Sequence, residues 1–201
     1  MSTRLRKGQA PTKRMAHVWD ASRCIACGAC VLGCTSANMP EMMFREEKGW
    51  KSLASNIRRI DNVTPQGRPE ILLVQCQHCE DAPCLHTCPF GATYMDDNGM
   101  IRLDPRMCAG CSYCVTSCPY NVRWFHPDSK LPKKCMGDTC LDFVDKGMPP
   151  ACVQACPAGA RDFGDLNDPN SSVSITLRTK RSRRLLENAG TEPKYFVVEG
   201  S

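Results

Sequence analysis

Sixteen of the 201 residues are cysteine, and spacing sorts them into four quartets with none left over. Cys24, Cys27, Cys30 and Cys34 are separated by two, two and three residues; Cys76, Cys79, Cys84 and Cys88 by two, four and three. Cys108, Cys111, Cys114 and Cys118 repeat two, two and three; Cys135, Cys140, Cys152 and Cys156 follow four, eleven and three. Sulfur at this density has three chemistries open to it: disulfide crosslinks, zinc sites and iron–sulfur clusters. Disulfides need an oxidising compartment and usually a secretion signal. The opening MSTRLRKGQAPTKRMAHVWD has neither an apolar core of about 7–15 residues nor a small-residue cleavage site, and no twin arginine. Zinc closes on paired Cys-x2-Cys knuckles or on histidines at set spacing, and His17, His78, His86 and His126 show no such pairing.

Iron–sulfur ligation accounts for the spacing best. A two-two-three run ending in Cys-Pro is the bacterial ferredoxin arrangement, whose fourth cysteine serves a different cluster from the first three. A tight loop wraps three thiolates around one face of a cubane, and the fourth points to a neighbour. Proline then fixes the chain direction and removes an amide donor. Pro89, Pro119 and Pro157 stand in that place, while Cys34 is followed by Thr35.

The quartets, taken in this order, resemble the four-cluster ferredoxin-like electron-transfer subunits of the molybdopterin oxidoreductases. That family includes subunits of dimethyl sulfoxide, polysulfide, thiosulfate and tetrathionate reductases and of respiratory formate dehydrogenases. The resemblance runs over residues 17–165 and is carried by Gln77-His-Cys-Glu80, Asp81-Ala-Pro-Cys84, Cys118-Pro-Tyr120 and Lys146-Gly-Met-Pro-Pro-Ala-Cys152. Phe163–Pro169 and Pro193–Val198 look most like the polysulfide and thiosulfate reductase branch.

The resemblance implies four [4Fe-4S] clusters with nested ligands: Cys24, Cys27 and Cys30 with Cys156; Cys34 with Cys135, Cys140 and Cys152; Cys76, Cys79 and Cys84 with Cys118; and Cys88 with Cys108, Cys111 and Cys114. It implies an α+β, loop-rich fold of two two-cluster lobes. Residues 1–75 and 119–201 would form the outer lobe, with an insert and a tail, and 76–118 an inner lobe inserted into it. Nitrate reductase relatives carry Trp at the position of Cys111 and hold three irons there, so Cys111 implies four. Where relatives often have Cys-x2-Cys, this chain has Cys135-x4-Cys140, with Asp138 at the closer position. Cys140 remains the expected ligand, because hard carboxylate oxygen suits a thiolate-bound cluster poorly.

The elements that must position these residues are short. Aromatics are 6% of the chain, against 14 Gly and 15 Pro, so metal binding should supply much of the folding free energy. Brief helices are expected after the last cysteine of each quartet, as in Val31–Ala37 and Val153–Ala155. Asp96-Asp-Asn-Gly99 reads as a hairpin turn. Glu70–Val74 reads as a strand after a turn at Thr64–Gly67. Met39, Met42 and Met43 fit core filling and a docking patch equally. The basic run Arg178–Arg184 reads as a solvated helix closing at Gly190, since no aromatics are interleaved for base stacking. Trp124 and His126 read as packing over a cluster, with a partner-facing exit as the alternative. His78 and His86 could tune a cluster by hydrogen bonding or simply face solvent.

The formal charge of +5 omits the metal: four oxidised clusters at about −2 each would take the loaded chain to about −3. The basic balance therefore argues for no nucleic-acid partner. Paired carboxylates, a nucleophile with its base and a phosphate-cradling loop are all missing, so a non-catalytic subunit is expected. It would pass single electrons between a molybdopterin catalytic subunit and an integral membrane quinone-reactive subunit. The alternative is a free polyferredoxin serving soluble enzymes. With no spanning segment, the chain is expected to be soluble alone and peripheral on the bacterial cytoplasmic membrane through a partner. The periplasmic face is expected, by co-export with a catalytic subunit; the cytoplasmic face is the alternative.

Overall fold

The computed structural model describes residues 3–5, 9–43, 55–63, 67 and 69–200. In chain order its elements are β1 (Met15–Asp20), α1 (Ala29–Asn38), β2 (Arg58–Val63), β3 (Pro69–Val74) and α2 (Pro83–His86). There follow β4 (Thr93–Met95), β5 (Ile101–Leu103), α3 (Tyr113–Thr116), β6 (Trp124–Phe125), β7 (Pro132–Lys133) and α4 (Asp138–Asp145). The last are α5 (Ala151–Gln154), β8 (Arg161–Asp165), α6 (Ser172–Thr179), β9 (Ser182–Arg184) and β10 (Tyr195–Val198). This is an α+β chain of short helices and small sheets, as expected.

The one larger sheet has the order β8-β1-β10-β9. Strands from opposite ends of the chain pair in parallel at its centre, with His17 opposite Tyr195 and Asp20 opposite Val198. Side chains alternate across a strand, and the two faces of this sheet serve different cores. Ala16, Val18, Phe196 and Val198 pack with Val173 beneath α6. Trp19, Tyr195 and Val197 face the main core, which they share with Cys30, Cys34, Cys76, Cys79, Cys84, Cys114, Cys135, Cys140 and Cys152. Among the described residues, apolar side chains and thiols thus share the larger core, and the core without cysteines is the small one beneath α6.

Three hairpins complete the frame. β4 and β5 pair across Asp96–Gly99 as the sequence predicts. The Asp96 carboxylate accepts from the Asn98 and Met100 amides at 3.1 and 2.8 Å, and Gly99 takes φ +72°, which favours glycine. β3 forms where expected and pairs with β2. The turn expected at Thr64–Gly67 lies outside the described residues except for Gly67. Met39 and Met42 are buried core residues, and Met43 is partly exposed.

Two expectations need correction. The helices do not in general follow the last cysteine: α1, α2, α3 and α5 each carry the third. α1 alone runs on through the fourth, Cys34, to Asn38, so that Val31–Ala37 is helical as expected, while α5 ends at Gln154, before Cys156. Three intervening residues make about one helical turn, which brings the third and fourth thiols to the same side. The basic run is likewise not one helix. α6 ends at Thr179, and Ser182–Arg184 is an edge strand on β10. The fully buried β10 needs a hydrogen-bonding neighbour there, and that tertiary demand overrides helix propensity. Gly190, in the left-handed region, closes a short 3-10 turn instead.

Candidate metal centres

Each quartet is a loop followed by a helical turn. The loops bend through left-handed residues, Ala26 and Gly28 in the first quartet, His78 in the second, Gly110 and Ser112 in the third. That curvature folds a short chain around a central space.

Helix pairing then brings separate quartets together. α1 lies directly on α5, and Gly33 is the reason: a Cβ there would sit 2.8 Å from the Cβ of Ala155. This contact sets Cys30 and Cys34 beside Cys152 and Cys156. α2 pairs with α3 in the same way, with a 3.0 Å hydrogen bond between the hydroxyls of Thr87 and Ser117. α4 docks on the end of α1 through Asn38, whose side-chain amide donates to Cys140 Sγ at 3.2 Å and accepts from the Cys140 amide at 3.3 Å.

Among the described residues, no three His, Cys, Asp or Glu side chains gather tightly enough to hold a single metal ion. The cysteines instead line cavities. One is lined by Cys24, Cys27, Cys30 and Cys156 together with Trp19, Leu73 and Arg161. Another is lined by Cys88, Cys108, Cys111 and Cys114 together with Phe90, Thr93 and Pro132. Three cysteines of each come from one quartet and the fourth from another.

Elsewhere the buried cysteines act on one another electrostatically. Burial pushes the Cys34 thiol up to about 11, against hydrogen bonds from the Asn56 amide and Ser55, and the Cys152 and Cys140 charges add to the rise. Burial raises Cys135 well above the usual thiol range, reinforced by Cys152, Cys34, Cys76 and Cys140. Burial pushes Cys79 up to about 12, opposed by Thr191 and reinforced by Cys76, Cys84 and Cys118. Burial also raises Cys114, opposed by Arg123 and reinforced by Cys108 and Cys88.

Sulfur in this interior is met by donors. The Ala160 amide donates to Cys156 Sγ at 3.2 Å, Arg123 Nη2 to Cys84 Sγ at 3.3 Å, and Gln75 Nε2 to Cys135 Sγ at 3.6 Å. Among the described residues, Arg123 Nη1 and the Nε and Nη1 of Arg161 are buried without an acceptor. A buried cation with unsatisfied donors is costly unless an anion faces it. Soft thiolates turned toward the same spaces suit iron–sulfur clusters, which are anionic and carry sulfide acceptors. The residues fit the group.

The other expected positions are plain in the structure. Asp138 is exposed at the start of α4, while Cys140 is buried. His78 is buried and accepts from the Ile101 amide at 3.0 Å, so it pins β5. Its pKa falls well below 6.5, first through burial and then through Lys134. His86 is exposed and paired with Asp81 at 2.7 Å. Trp124 donates to Asn56 at 3.1 Å and stacks near His126, which is buried against Glu41. The sequence reading did not single out Gln75, Asn38, Arg123 or Arg161, because polar residues scattered between motifs carry no spacing signal.

A 4Fe-4S dicluster domain matches residues 69–166. NrfC of Escherichia coli K12 is 39% identical over 193 residues, covering 92% of this chain and 80% of that protein. A polysulfide reductase component of Wolinella succinogenes is 35% identical over 191 residues, covering 92% and 94%. A tetrathionate reductase component of Salmonella typhimurium is 34% identical over 193 residues, covering 94% and 74%. The protein belongs to the 4Fe-4S iron–sulfur subunits of reductase complexes. Members of this family transfer electrons and leave substrate chemistry to other subunits. The free polyferredoxin alternative gains nothing from these relatives.

Proposed function

We propose that this electron-transfer subunit is a wire of four [4Fe-4S] clusters. Their ligands would be Cys24, Cys27, Cys30 and Cys156; Cys34, Cys135, Cys140 and Cys152; Cys76, Cys79, Cys84 and Cys118; and Cys88, Cys108, Cys111 and Cys114. The observation that carries the reading is the composition of the two cavities, each lined by three cysteines of one quartet and one of another. The electrostatic partners of Cys34 and Cys79 support the two inner sets, while Cys135 is acted on by Cys76 as well as by members of its own set. Residues 1–75 and 119–201 would then be one two-cluster lobe, with 76–118 inserted as a second. The pairings of α1 with α5 and of α2 with α3 support that division.

A bound cluster takes up and gives back one electron without changing its ligands. The chain's residues hold the thiolates, exclude water from the inner sets, and aim N–H donors at sulfur. Those donors favour the more negative, reduced state and so help to set the potential.

The partners would be a molybdopterin catalytic subunit and an integral membrane subunit that reacts with quinone. Among the described residues no helix is long and apolar enough to cross a membrane, so docking would bring the chain to the bilayer. The Cys24/Cys27/Cys30/Cys156 set would face the catalytic subunit and the Cys88/Cys108/Cys111/Cys114 set the membrane subunit. Co-export beside the catalytic subunit would place the complex on the periplasmic face. Copurification with metal analysis tests this. A large molybdenum subunit should accompany the chain, with about sixteen irons and as much labile sulfide per chain. Zinc without labile sulfide, or a chain eluting alone with full activity as a soluble carrier, would contradict it.

A further inference from the structure

Arg123, Lys134 and Arg161 are all at most 7% exposed, and all lie among the cysteines. Among the described residues none of the three is ion-paired to a carboxylate; the buried Asp96 is paired with Arg102 and the buried Asp20 with Lys180. Their polar contacts are with sulfur, carbonyls and amides, and for Arg161 also with the Tyr195 hydroxyl. Arg123 donates to Cys84 Sγ at 3.3 Å. Lys134 donates to the carbonyls of Cys135, at 2.9 Å, and Ile101. Arg161 donates to the Gln75 side-chain carbonyl. Among the described residues, three guanidinium nitrogens remain without an acceptor.

Their locations follow a rule. Arg161 lines the cavity of Cys24, Cys27, Cys30 and Cys156 on one side. On the other it holds Gln75, whose amide donates to Cys135. Lys134 precedes Cys135, and the thiols that act most on its charge are Cys76, Cys135 and Cys84. Arg123 touches Cys84, and its charge also acts on Cys114. One cation therefore stands at each of the three junctions between consecutive cysteine sets.

We propose that Arg161, Lys134 and Arg123 are potential-setting residues, one shared by each neighbouring pair of clusters, whose positive charge stabilises the reduced clusters on either side. The inference rests on the nested ligand sets proposed above. In a dry interior an electron entering a cluster raises its negative charge and repels an electron on the next one. A fixed cation between the two favours reduction of both, and its attraction offsets that repulsion without changing it. Packing alone would be served better by an apolar side chain, since a buried charge with unsatisfied donors destabilises the fold.

The test is a redox titration of the intact complex, followed by electron paramagnetic resonance, with iron content measured on every sample. Arg161→Gln should lower the potentials of the Cys24-set and Cys34-set clusters. Lys134→Met should lower those of the Cys34 and Cys76 sets, and Arg123→Gln those of the Cys76 and Cys88 sets. Each shift should be about tenfold in the oxidised-to-reduced ratio, about 59 mV for one electron. Arg161→Lys and Arg123→Lys should restore most of it. Gln75→Glu keeps the shape and sets a carboxylate against Arg161, so it covers the case in which a glutamine variant fails to load. Its diagnostic is the Cys24-set cluster, to which Gln75 does not donate, and that potential should fall. Unmoved potentials in fully loaded variants, an equal fall in all four clusters, or lysine variants as low as glutamine ones would overturn the proposal. Failure of the ligand sets would show separately, as an altered iron count or cysteine assignment in the otherwise unmodified chain.

Discussion

The two cavity-forming cysteine sets and the two inner ones differ in how the chain treats them. Cys27 and Cys111, one in each cavity-forming set, are exposed. Cys34, Cys135, Cys140 and Cys152 are all buried, as are Cys76, Cys79 and Cys84. Large apolar residues lie open beside both cavities, Ile25 at 66% exposure next to Cys24 and Tyr113 at 59% next to Cys114. Phe90, on the wall of the second cavity, is also exposed. Under the ligand sets proposed above, the two inner sets are the better insulated, with Cys118 alone of their eight cysteines partly exposed, and the other two lie nearer the surface. That division suits a conductor, whose ends must come close to donor and acceptor while its middle stays dry.

The comparison breaks most visibly if ligands from the two regions are removed in turn. Cys135→Ser, in the buried set, should lose its cluster and cost more than about 4 kcal/mol in stability. Cys111→Ser, at the exposed end, should disturb only its own cluster and leave the melting temperature of the rest close to normal. Iron counts and thermal melts of the two variants check this; equal damage would erase the distinction.

Helix packing gives a smaller effect. Gly33→Ala drives a Cβ into Ala155 and should cost about 1–3 kcal/mol, as overpacking does. It should disturb the sets fed by α1 and α5 and spare those fed by α2 and α3. Chemical denaturation with cluster absorbance as a second readout would show whether the damage stays on one side.

Loading should depend on pH differently in the two regions. Burial holds the Cys34 and Cys79 thiols up at about 11 and 12, so in the metal-free chain they are protonated at neutral pH. The stability that these protonated thiols give the metal-free fold is present below the ordinary thiol range and lost as pH rises toward those values. Iron must displace their protons, so uptake by the inner sets should strengthen with pH. Cys88 is the contrast: burial raises its pKa, but amides of Thr93, Phe90 and Ala92 together outweigh this and hold it below the usual value. Its set also contains the raised Cys114, so it has fewer high-pKa protons to displace rather than none, and its loading should rise less steeply with pH than theirs. Iron uptake followed from pH 6 to 9 by cluster-resolved spectroscopy measures the slopes, and an equal or steeper dependence for the Cys88 set would contradict it.

The smallest effect lies outside the cysteines. Burial alone would raise the Asp20 carboxyl, but hydrogen bonds from Lys180, at 2.6 Å, and Ser22 lower it overall. The stability from this pair is present above the ordinary carboxylate range and lost as pH falls through and below it. Asp20→Asn should cost about 1 kcal/mol or less, since Lys180 is partly exposed. It should leave the cluster spectra unchanged.

What could be read from the sequence follows from the range of each interaction. Cysteine spacing is local, and it was enough for the metal and the quartets, as the Asp-Asn-Gly turn was for the β4–β5 hairpin. β2 left no pattern to read because all six of its residues are exposed, which removes the alternation that marks a half-buried strand. The parallel pairing of β1 with β10 joins Asp20 to Val198, a contact across nearly the whole chain that no local motif encodes. The end of α6 was missed because Lys180–Arg184 has helix-compatible composition but is needed as the neighbour of a buried strand. The cations between the cysteine sets were hidden for the same reason: their meaning comes from the thiols around them.

The central claim is that the cysteines act in nested sets, and one substitution addresses it directly. In Cys34→Ser, spectroscopy that resolves the individual clusters should show a change in the one altered by Cys152→Ser, with the one altered by Cys24→Ser untouched. If Cys34→Ser instead perturbs the cluster held by Cys24, Cys27 and Cys30, the nested arrangement is wrong, and with it the order of the wire.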